Sequence, residues 1–586
     1  MAQINSDQFE NISMNKTQFL LPLFLFTSLA TASQLKPEIT ETEVAQSEVY
    51  RLVDQRQLDL PYFQKAIKQN DISLTILALQ GLGRIGGNQV LPSIYPSLTD
   101  NRKSVRVAAV FALGISGSKQ PNERLWSQLN NEKSERVKQE IYLALGNIGG
   151  PNLISKLLER NQKEKHQKTK STIFQALAIA ITYHPSIADN IDMKRSQSLI
   201  DFSEILSLLE NDDQVSYQAG YFLARIKNID KRISPAQLQK FTKILQRTNN
   251  KKIFARLIGK ITKKKHLANR RLLSWLIEQS ELPDVALATE AIRAMATMIY
   301  IPQAKIQLGK LQASSKLLIA QTALKVLSES ELSGREITAL LKKQLKSDYP
   351  GLVVEAMSGL MKRQDREDMT WALKILSHKN TFVKINFARM IFEKDRQGFK
   401  NVLSMLTKDS NNKVSTYAKK LLNAPEKEQS SNRLESPDYQ QAQRSAGKVV
   451  RIKTTAGIID IKLNGQAIYT AANFIRLVKS GYFNNSYFSR VIGNFVAQGG
   501  DPIGDGQGSS GQTIREELSY LSHEVGTVGM ATAGKDTGDS QFFINTSDNT
   551  HLDRKYTIFG TVVKGLEVAL ELSNGDQIVS ASILEK

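Results

Sequence analysis

The sequence contains no cysteine in its 586 residues. This absence excludes disulfide bonds, thiolate zinc sites, iron–sulfur clusters, cysteine nucleophiles and a lipid-anchored N-terminal cysteine. Histidine is also scarce, with six widely spaced residues, so a histidine-rich metal site is not expected. No apolar run reaches the roughly 20 residues that a membrane-spanning helix needs. We therefore expect no metal or other cofactor, and no transmembrane anchor in the mature chain.

At 65.4 kDa the chain is too long for one hydrophobic core, which predicts several domains or a repeat array. Hydrophobic residues make up 41% and charged residues 23%, as is usual for proteins that fold in water. The net charge of +21 is unevenly spread, because residues 448–586 hold 13 Lys and Arg against 14 Asp and Glu, a net of −1. Residues 1–447 carry the remaining +22, so an acidic partner is expected to meet that part.

The N-terminal segment has the layout of a secretory signal peptide. Lys16 precedes a short apolar run, and Ala30-Thr31-Ala32 forms an A-x-A cleavage site. Mostly polar residues precede Met14, so we expect translation to begin there and cleavage to follow Ala32, within a segment spanning 1–32. The predicted product is exported, most simply to the periplasm, with 33–59 as a leader or linker. The alternative is an apolar helix in a cytoplasmic protein.

A repeat begins near residue 60. Gly83, Gly114 and Gly146 close similar Leu-Gly segments and are 31 and 32 positions apart. This period predicts a solenoid of helix pairs, with the matched glycines serving as left-handed C-caps and as small residues that let helices approach closely. The segments resemble HEAT-like repeats, the PBS-lyase-like bacterial variety in particular. We expect an all-α solenoid of about eight to ten pairs over 60–425; a helical domain without regular stacking is the alternative.

The densest basic segment runs from Asn249 to Arg271. Its helical pattern combines an apolar stripe with a basic face. That face could bind an acidic protein partner or anionic headgroups, or it could be a solvated outer face whose stripe packs on the next repeat. Nucleic-acid binding is not expected, because it conflicts with the predicted signal peptide. The basic residues are Lys251, Lys252, Arg256, Lys260, Lys263, Lys264, Lys265, Arg270 and Arg271.

The sequence pattern changes after residue 425. Residues 426–447 are polar and predict an exposed interdomain linker. Val449–Thr454 and Ile458–Leu463 then alternate around a Gly turn, which indicates a β-hairpin at the start of a mainly β domain over 448–586.

Three ordered motifs in this domain, Tyr487–Asp501, Met530–Gly534 and Ser540–Ile544, resemble those of cyclophilin-type peptidyl-prolyl cis–trans isomerases. The resemblance covers about Val449 to Ile583 and implies a closed eight-stranded antiparallel barrel with two capping helices. It also implies a catalytic role for Arg490 and Gln498. The substrate-binding residues that it implies are Phe495, Val496, Ala531, Thr532, Gln541, Phe543, His551, Leu552 and Tyr556.

The chemistry of proline isomerisation suits such a site. Amide resonance creates a barrier of about 18–20 kcal/mol, and no bond is formed or cleaved, so neither a nucleophile nor a metal is needed. A donor aimed at the prolyl nitrogen stabilises the twisted state, in which the nitrogen lone pair becomes available. Arg490 can supply this donor, because its guanidinium is always protonated and directional.

The chain departs from the family pattern at five positions of the site. Ser489 replaces a common His, Gly493 a common Pro, Thr532 a frequent Asn, His551 a Trp and Tyr556 a His. The His551 exchange implies weak cyclosporin sensitivity. The Gly-rich stretch from position 504 to 511 lacks the Gly-Lys-Ser/Thr of a phosphate loop and matches a cyclophilin loop.

These observations together predict a multidomain protein in which the solenoid recruits proline-containing client proteins, or docks to a partner, beside a prolyl isomerase. The alternative is a scaffold whose cyclophilin domain only binds proline segments without catalysis. Retention of Arg490 favours the enzyme, because a pure binding protein has no need of that arginine.

Overall fold

A computed structural model describes residues 40–186, 202–211, 213–330, 335–363, 370–395, 397–423 and 432–585. The predicted signal peptide and its cleavage site lie outside these residues. Within them, no helix is both long and apolar enough to cross a lipid bilayer.

The described residues between 41 and 423 form a helical array. Its helices are α1 (Glu41–Asp54), α2 (Leu60–Ile67), α3 (Ile72–Ile85), α4 (Leu91–Ile94), α5 (Lys103–Ile115), α6 (Asn122–Asn131), α7 (Glu135–Ile148), α8 (Leu153–Lys163), α9 (Gln167–Tyr183), α10 (Phe202–Leu208), α11 (Gln214–Leu223), α12 (Pro235–Leu245), α13 (Lys251–Ile261), α14 (Arg270–Ser280), α15 (Val285–Met295), α16 (Pro302–Leu311), α17 (Leu317–Glu329), α18 (Arg335–Gln344), α19 (Pro350–Arg363), α20 (Thr370–Leu376), α21 (Thr381–Asp395), α22 (Lys400–Leu406) and α23 (Asn412–Asn423).

The helices pair regularly. Each even-numbered helix from α2 onward packs on the odd-numbered helix that follows it, and the odd-numbered helices from α3 to α23 stack on one another. The described residues thus contain eleven stacked inner helices, slightly more than the predicted eight to ten pairs. The predicted HEAT-like solenoid is confirmed, since each helix pair buries its apolar face against its neighbours.

The matched glycines allow inner helices to touch. A Cβ at Gly83 would lie 2.7 Å from the Cα of Ala112, and a Cβ at Gly146 would lie 2.6 Å from the carbonyl oxygen of Ala176. Gly114 is similarly close to the next inner helix. Because these neighbours are backbone atoms, a larger residue would push whole helices apart.

The predicted C-cap role of these glycines is wrong. All three lie inside helices, and the helices end one to two residues later. Gly86 and Gly149 are the actual C-cap residues of α3 and α7, with φ of 78° and 75°. Left-handed backbone at these positions favours glycine.

Part of the predicted leader 33–59 is folded. The amphipathic helix α1 begins at a Thr40–Glu43 capping box and buries Val49, Leu52 and Val53. These side chains pack on α3, where Gly81 leaves room for Val53. The array therefore begins before residue 60, because an apolar stripe at helical spacing docks whether or not it repeats the glycine motif.

The C-terminal part of the chain, from residue 432 on, is built on strands and three helices of its own. The elements are β1 (Asn432–Arg433), α24 (Tyr439–Gln443), β2 (Val449–Thr454), β3 (Ile458–Leu463), α25 (Ile468–Lys479), β4 (Ser486–Tyr487), β5 (Arg490–Ile492), β6 (Val496–Gly499), β7 (Gln512–Thr513), β8 (Thr527–Met530), β9 (Phe542–Asn545), β10 (Ile558–Lys564), α26 (Leu566–Glu571) and β11 (Gln577–Leu584).

Nine of these strands form one antiparallel sheet in the order β4-β11-β2-β3-β10-β8-β9-β6-β5. Its two edge strands, β4 and β5, are only two residues apart in the chain, so the sheet curls back toward itself. Phe474 of α25 fills the interior against Phe542 and Phe559. The predicted cyclophilin-type fold is confirmed, with nine short strands in place of the eight expected.

The polar segment before this domain differs from the exposed linker that its composition predicts. Over residues 432–447, β1 pairs in parallel with β7, and Tyr439 of α24 is nearly buried. The Tyr439 ring lies 5.1 Å from the ring of Tyr50 of α1, and the ring of Tyr469 of α25 also packs on the Tyr50 ring. Tyr439 and Ala442, which are both buried, therefore dock a segment that is otherwise polar, together with the pairing of β1 and β7.

The inner helices contact the C-terminal domain along nearly the whole array. At one end Arg56 pairs with Asp536 and the Arg84 guanidinium donates to the Leu518 carbonyl. At the other end Asn386 donates to the Gly504 carbonyl. The central contacts are Arg554 with Glu140, Gln175 with Asp553, Tyr221 with His551, and Gln321 with Asn574. The inner face that was expected to hold partners thus holds the chain's own C-terminal domain.

Candidate active site

Strand pairing places the predicted catalytic residues side by side. Arg490 on β5 is in register with Gln498 on β6, and its Nη1 donates to the Gln498 Oε1 at 3.3 Å. The Gln498 Nε2 donates to the Gln541 Oε1 at 2.9 Å, and the Gln541 Nε2 donates to the Gly508 carbonyl at 2.8 Å. This chain of amides orients Arg490, whose side chain remains exposed to substrate.

An apolar cluster lies beside Arg490, where the family resemblance implies a pocket for the proline ring, and it is hereafter called the proline pocket. Val496, Phe543 and Leu552 form a buried cluster at its base, and Phe495, Ala531 and Tyr556 pack around them. The Arg490 guanidinium lies 5.6 Å from the centre of the Phe495 ring. All six apolar residues that the sequence assigns to substrate binding are therefore brought together within reach of the predicted donor.

The strand edge next to the pocket has unused backbone groups. The peptide N–H of Ala531 is bonded to the Gln541 carbonyl. Among the described residues, no hydrogen bond involves the peptide N–H or C=O of the following residue, Thr532. These groups can pair with an extended peptide, as the resemblance implies.

His523 supports the pocket from behind, a role that the sequence did not reveal. Its ring stacks on Phe543 at 5.7 Å, its Nδ1 faces the Asn545 Nδ2 at 3.1 Å, and its Nε2 faces the Tyr556 carbonyl. Because the Asn545 amide donates, the proton of the neutral ring lies on Nε2. Burial lowers the pKa of His523 to about 3, so the ring stays neutral.

The array completes the other side of the pocket. The His551 ring stacks on Phe495, and its Nδ1 accepts from the Tyr221 hydroxyl at 2.6 Å and from the Arg225 guanidinium at 2.7 Å. Burial, followed by the charges of Arg225 and Arg256, holds the pKa of His551 well below its ordinary value. A neutral His551 is thus clamped between the pocket wall and helix α11.

A second contact from the array holds the turn that leads into the pocket. Arg293 donates to the Gly493 carbonyl at 2.7 Å, and Arg256 donates to the Asn494 carbonyl at 3.2 Å. The Asn494 side chain donates to Glu290, which also pairs with both arginines. Burial alone would raise the pKa of Glu290, but the two cations lower it to about 2.

The far end of the array holds the Gly-rich loop. The hydroxyl of Tyr417 on α23 bonds to Asp505, and Asn386 on α21 bonds to the Gly504 carbonyl. The carbonyl of Gly508 in the same loop accepts from Gln541, which bonds Gln498. The array therefore reaches the Arg490 network from this side as well.

Comparison with known proteins agrees with this geometry. Residues 449–584 match the family model of cyclophilin type peptidyl-prolyl cis-trans isomerases, and residues 91–178 match a HEAT-repeat model. The chain is 49% identical over 109 residues to "Peptidyl-prolyl cis-trans isomerase B" of Bacillus subtilis, covering 18% of this chain and 76% of the relative. An isomerase of Helicobacter pylori is 43% identical over 134 residues, covering 22% and 82%. One of Synechococcus elongatus is 40% identical over 136 residues, covering 23% and 94%.

The chain belongs to the cyclophilin-type peptidyl-prolyl cis–trans isomerase family. Its C-terminal domain is hereafter called the cyclophilin domain.

The array explains two of the departures from the cyclophilin pattern. A Cβ at position 493 would overlap the hydroxyl of Thr289 on α15, so glycine fits where proline is common. His551, which stands where many members have tryptophan, accepts hydrogen bonds from Tyr221 on α11 and from Arg225 just after that helix. Both exchanges make room for the array or bond to it.

Two further departures line a cavity between the array and the cyclophilin domain. Thr532 and Tyr556 contribute to this space of about 400 Å³, which also borders Lys119, Tyr183 and His184 of the array. The hydroxyl of Ser489, the fifth departure, is buried without a hydrogen-bond partner, and nothing in the structure explains it.

The residues of the cyclophilin domain follow from its sequence motifs, whereas those of the array do not. Tyr221 lies on α11, Arg225 just after it and Glu290 on α15, without a motif of their own. Arg256 belongs to the basic segment 249–271, whose apolar stripe is buried as one alternative predicted. Its inward-facing Arg256, however, was not expected.

Proposed function

We propose that the chain accelerates cis–trans isomerisation of X-Pro bonds in client proteins, with Arg490 donating to the prolyl nitrogen in the twisted transition state. The observation that carries this proposal is the exposed guanidinium of Arg490, oriented by Gln498 at the mouth of an apolar pocket. The membership of the cyclophilin family supports the activity itself.

The geometry suits a reaction without covalent chemistry. The apolar pocket holds the proline ring, while the chain on one side of the X-Pro bond rotates. In the planar ground state the prolyl nitrogen accepts hydrogen bonds poorly, because its lone pair is delocalised. As the bond twists, the lone pair becomes available to Arg490. An interaction that strengthens only in the transition state raises kcat and does not merely tighten binding.

The test is Arg490→Ala in the full chain, with exchange rates of an Ala-Pro peptide measured by NMR. Loss of one well-placed donor should reduce kcat/KM by about 100-fold or more. Arg444→Ala, which removes an exposed arginine far from the pocket, is the matched control and should leave the rate unchanged.

The alternative is a binding protein whose cyclophilin domain holds proline segments without turning them. In that case Arg490→Ala and the wild-type protein would give the same exchange rate, while both bind the peptide. Equal exchange rates in the two proteins would therefore contradict the enzyme hypothesis and support the scaffold hypothesis.

We further propose that the array governs which clients reach the pocket. Support comes from the hydrogen bonds of Tyr221 and Arg225 to His551 and from the cavity bordered by Thr532. Recruitment would then occur at the edge of the active-site groove, the name used here for the space between the array and the cyclophilin domain that includes this cavity, because the inner face of the array contacts the cyclophilin domain.

Export remains a proposal that rests on the N-terminal sequence. A reporter fused after Ser33, with translation starting at Met1 or at Met14, tests it. Periplasmic activity from the Met14 start supports the predicted signal peptide, and activity confined to the cytoplasm opposes it.

A further inference from the structure

The array side of the active-site groove carries a set of cations, here called the cationic rim. It consists of Lys119, Arg225, Lys260, Lys263 and Lys555. These residues lie at the ends of successive inner helices: Lys119 after α5, Lys555 against Tyr183 at the end of α9, Arg225 after α11, Lys260 in α13 and Lys263 just after it. Lys260 is close enough to Lys263 and Arg225 for their charges to act on it. The rim includes part of the basic segment 249–271, for which the proposed function gives no role.

Direct contacts tie the rim to the proline pocket. Arg225 donates to the Nδ1 of His551, whose ring stacks on Phe495. At the other end, Lys119 and Lys555 border the 400 Å³ cavity together with Thr532 and Tyr556. The Tyr556 ring also packs on Phe543 in the pocket. A peptide that places its proline in the pocket and pairs with the Thr532 edge therefore runs beside the rim.

The rim is not neutralised within the described part of the chain. None of its five residues has a carboxylate within 4 Å there. Among the residues that the structure describes, the Arg225 guanidinium bonds only to the Tyr221 hydroxyl and to His551, and Lys555 lies over the ring of Tyr183 at 4.7 Å. Burial, and then the charges of Lys263, Arg225 and Arg256, lower the pKa of Lys260, as expected for clustered cations.

The nearby carboxyl groups are otherwise engaged. Glu290 pairs with Arg256 and Arg293, and Asp553 accepts from Gln175 and Ser522. Glu516 borders the cavity, but burial and the neighbouring Asp536 raise its pKa to about 7, so much of its charge is lost at neutral pH. The rim therefore presents positive charge to whatever occupies the groove.

We propose that the cationic rim binds carboxylate side chains of the client, so that the enzyme prefers prolines in acidic segments. This inference rests on the proposed isomerase function and names its substrate class. Partly buried cations without counterions attract anions more strongly than fully solvated ones, because less water screens the interaction. The array, which carries the excess of positive charge, supplies four of the five rim residues. The nearly neutral cyclophilin domain supplies only Lys555.

The test compares peptides that differ only in the residues flanking one proline, with Glu, Gln or Lys at each of three positions on either side. Affinity is measured by fluorescence anisotropy, and isomerisation by NMR exchange, both on the full chain. We expect Glu to raise kcat/KM roughly fivefold over Gln on the side of the proline that pairs with Thr532, and the gain to disappear in high salt.

Two variants connect the preference to the rim. Lys119→Gln/Lys263→Gln replaces two exposed rim lysines and should lower the ratio of kcat/KM for the Glu peptide to kcat/KM for the Gln peptide. Adding Lys260→Gln should lower this ratio further. Lys65→Gln/Lys68→Gln, on the outer helix α2, removes the same charge and should leave the ratio unchanged. Glu516→Gln should leave the ratio equal or higher.

Each result has a distinct meaning. If the protein is active and its isomerisation rates on Glu and Gln peptides are equal, the proposed role of the rim is wrong and the isomerase function stands. If the protein binds Glu peptides better because of the rim lysines but isomerises no peptide, the isomerase function is wrong and the preference for acidic segments stands. If Lys119 and Lys555 only stabilise the C-terminal ends of α5 and α9, the rim variants will melt at lower temperature with an unchanged ratio, which overturns the proposal.

Discussion

The two walls of the active-site groove are built in different ways. The wall from the cyclophilin domain consists of neighbouring strands, where β-sheet register sets Arg490 beside Gln498 and Gln498 beside Phe543. The wall from the array consists of single residues from successive inner helices, such as Tyr221 on α11 and Arg256 on α13. The first wall is encoded in short continuous motifs, and the second depends on how separate repeats are stacked.

This difference teaches where a familiar site can acquire new properties. The reacting side of the groove keeps the residues that the family pattern implies, including Arg490 and Gln541. The changes concentrate where the array touches the domain, at Gly493 and His551. Selectivity is therefore expected to reside in the array wall and chemistry in the cyclophilin wall.

The buried ion pair between Glu140 and Arg554 holds the two walls together, with Oε2 and Nη2 2.9 Å apart. Glu140→Ala leaves Arg554 buried without a counterion and should lower the free energy of unfolding by about 3–5 kcal/mol. Denaturant unfolding measures the change. The exposed pair of Glu159 and Lys163 is the control, and Glu159→Ala should lower the free energy of unfolding far less, because water and salt screen an exposed pair. Equal losses in the two variants would mean that Glu140 does not join the walls.

Acid should weaken the cyclophilin wall through His523. The folded-state pKa of about 3 lies below the ordinary value of 6.5, so the unfolded chain binds the proton first. The contribution of the neutral ring to stability is complete above pH 6.5 and falls by about 1.4 kcal/mol per unit as the pH drops toward 3. His523→Gln should flatten the pH profile of unfolding between pH 6 and 4, and an unchanged slope would contradict this assignment.

Replacement of glycine by alanine should change the stability of the protein in opposite directions at two positions of the array. Gly146→Ala brings a Cβ against the backbone of Ala176 and should destabilise the protein by about 1–2 kcal/mol. Gly309→Ala, in helix α16, meets no atom within 4 Å and should stabilise it by up to about 1 kcal/mol through helix propensity. Thermal unfolding of both variants provides the comparison. A shared direction would show that close helix packing does not explain the repeat glycines.

The smallest expected effect concerns the hydrogen bond that joins the two walls, from Tyr221 to His551. Tyr221→Phe removes the hydroxyl that donates to His551, and loss of a hydrogen bond worth about 1 kcal/mol should lower kcat/KM for a proline peptide roughly fivefold. Tyr142→Phe, in a buried position of α7 away from the pocket, is the control. The measurement is NMR exchange on both variants. Equal rates would show that the array wall does not position the pocket.

The fold was predictable to different extents in the two regions. Recurrence of Gly83, Gly114 and Gly146 revealed the solenoid, yet their role as C-caps was wrong, because a period does not say where in the helix a glycine lies. The polar composition of residues 432–447 hid the docking of Tyr439, since two apolar side chains carry little weight in a composition average.

The sequence by itself determined the cyclophilin wall, because Arg490, Gln498, Phe543 and their neighbours lie within short motifs whose strand register brings them together. It also determined that the positive charge belongs to the array. Only the tertiary structure decided that the array turns its inner face to the cyclophilin domain. That arrangement depends on contacts between residues hundreds of positions apart, such as Glu140 with Arg554, and these leave no local pattern. The same stacking places Arg225 beside His551 and so sets half of the groove.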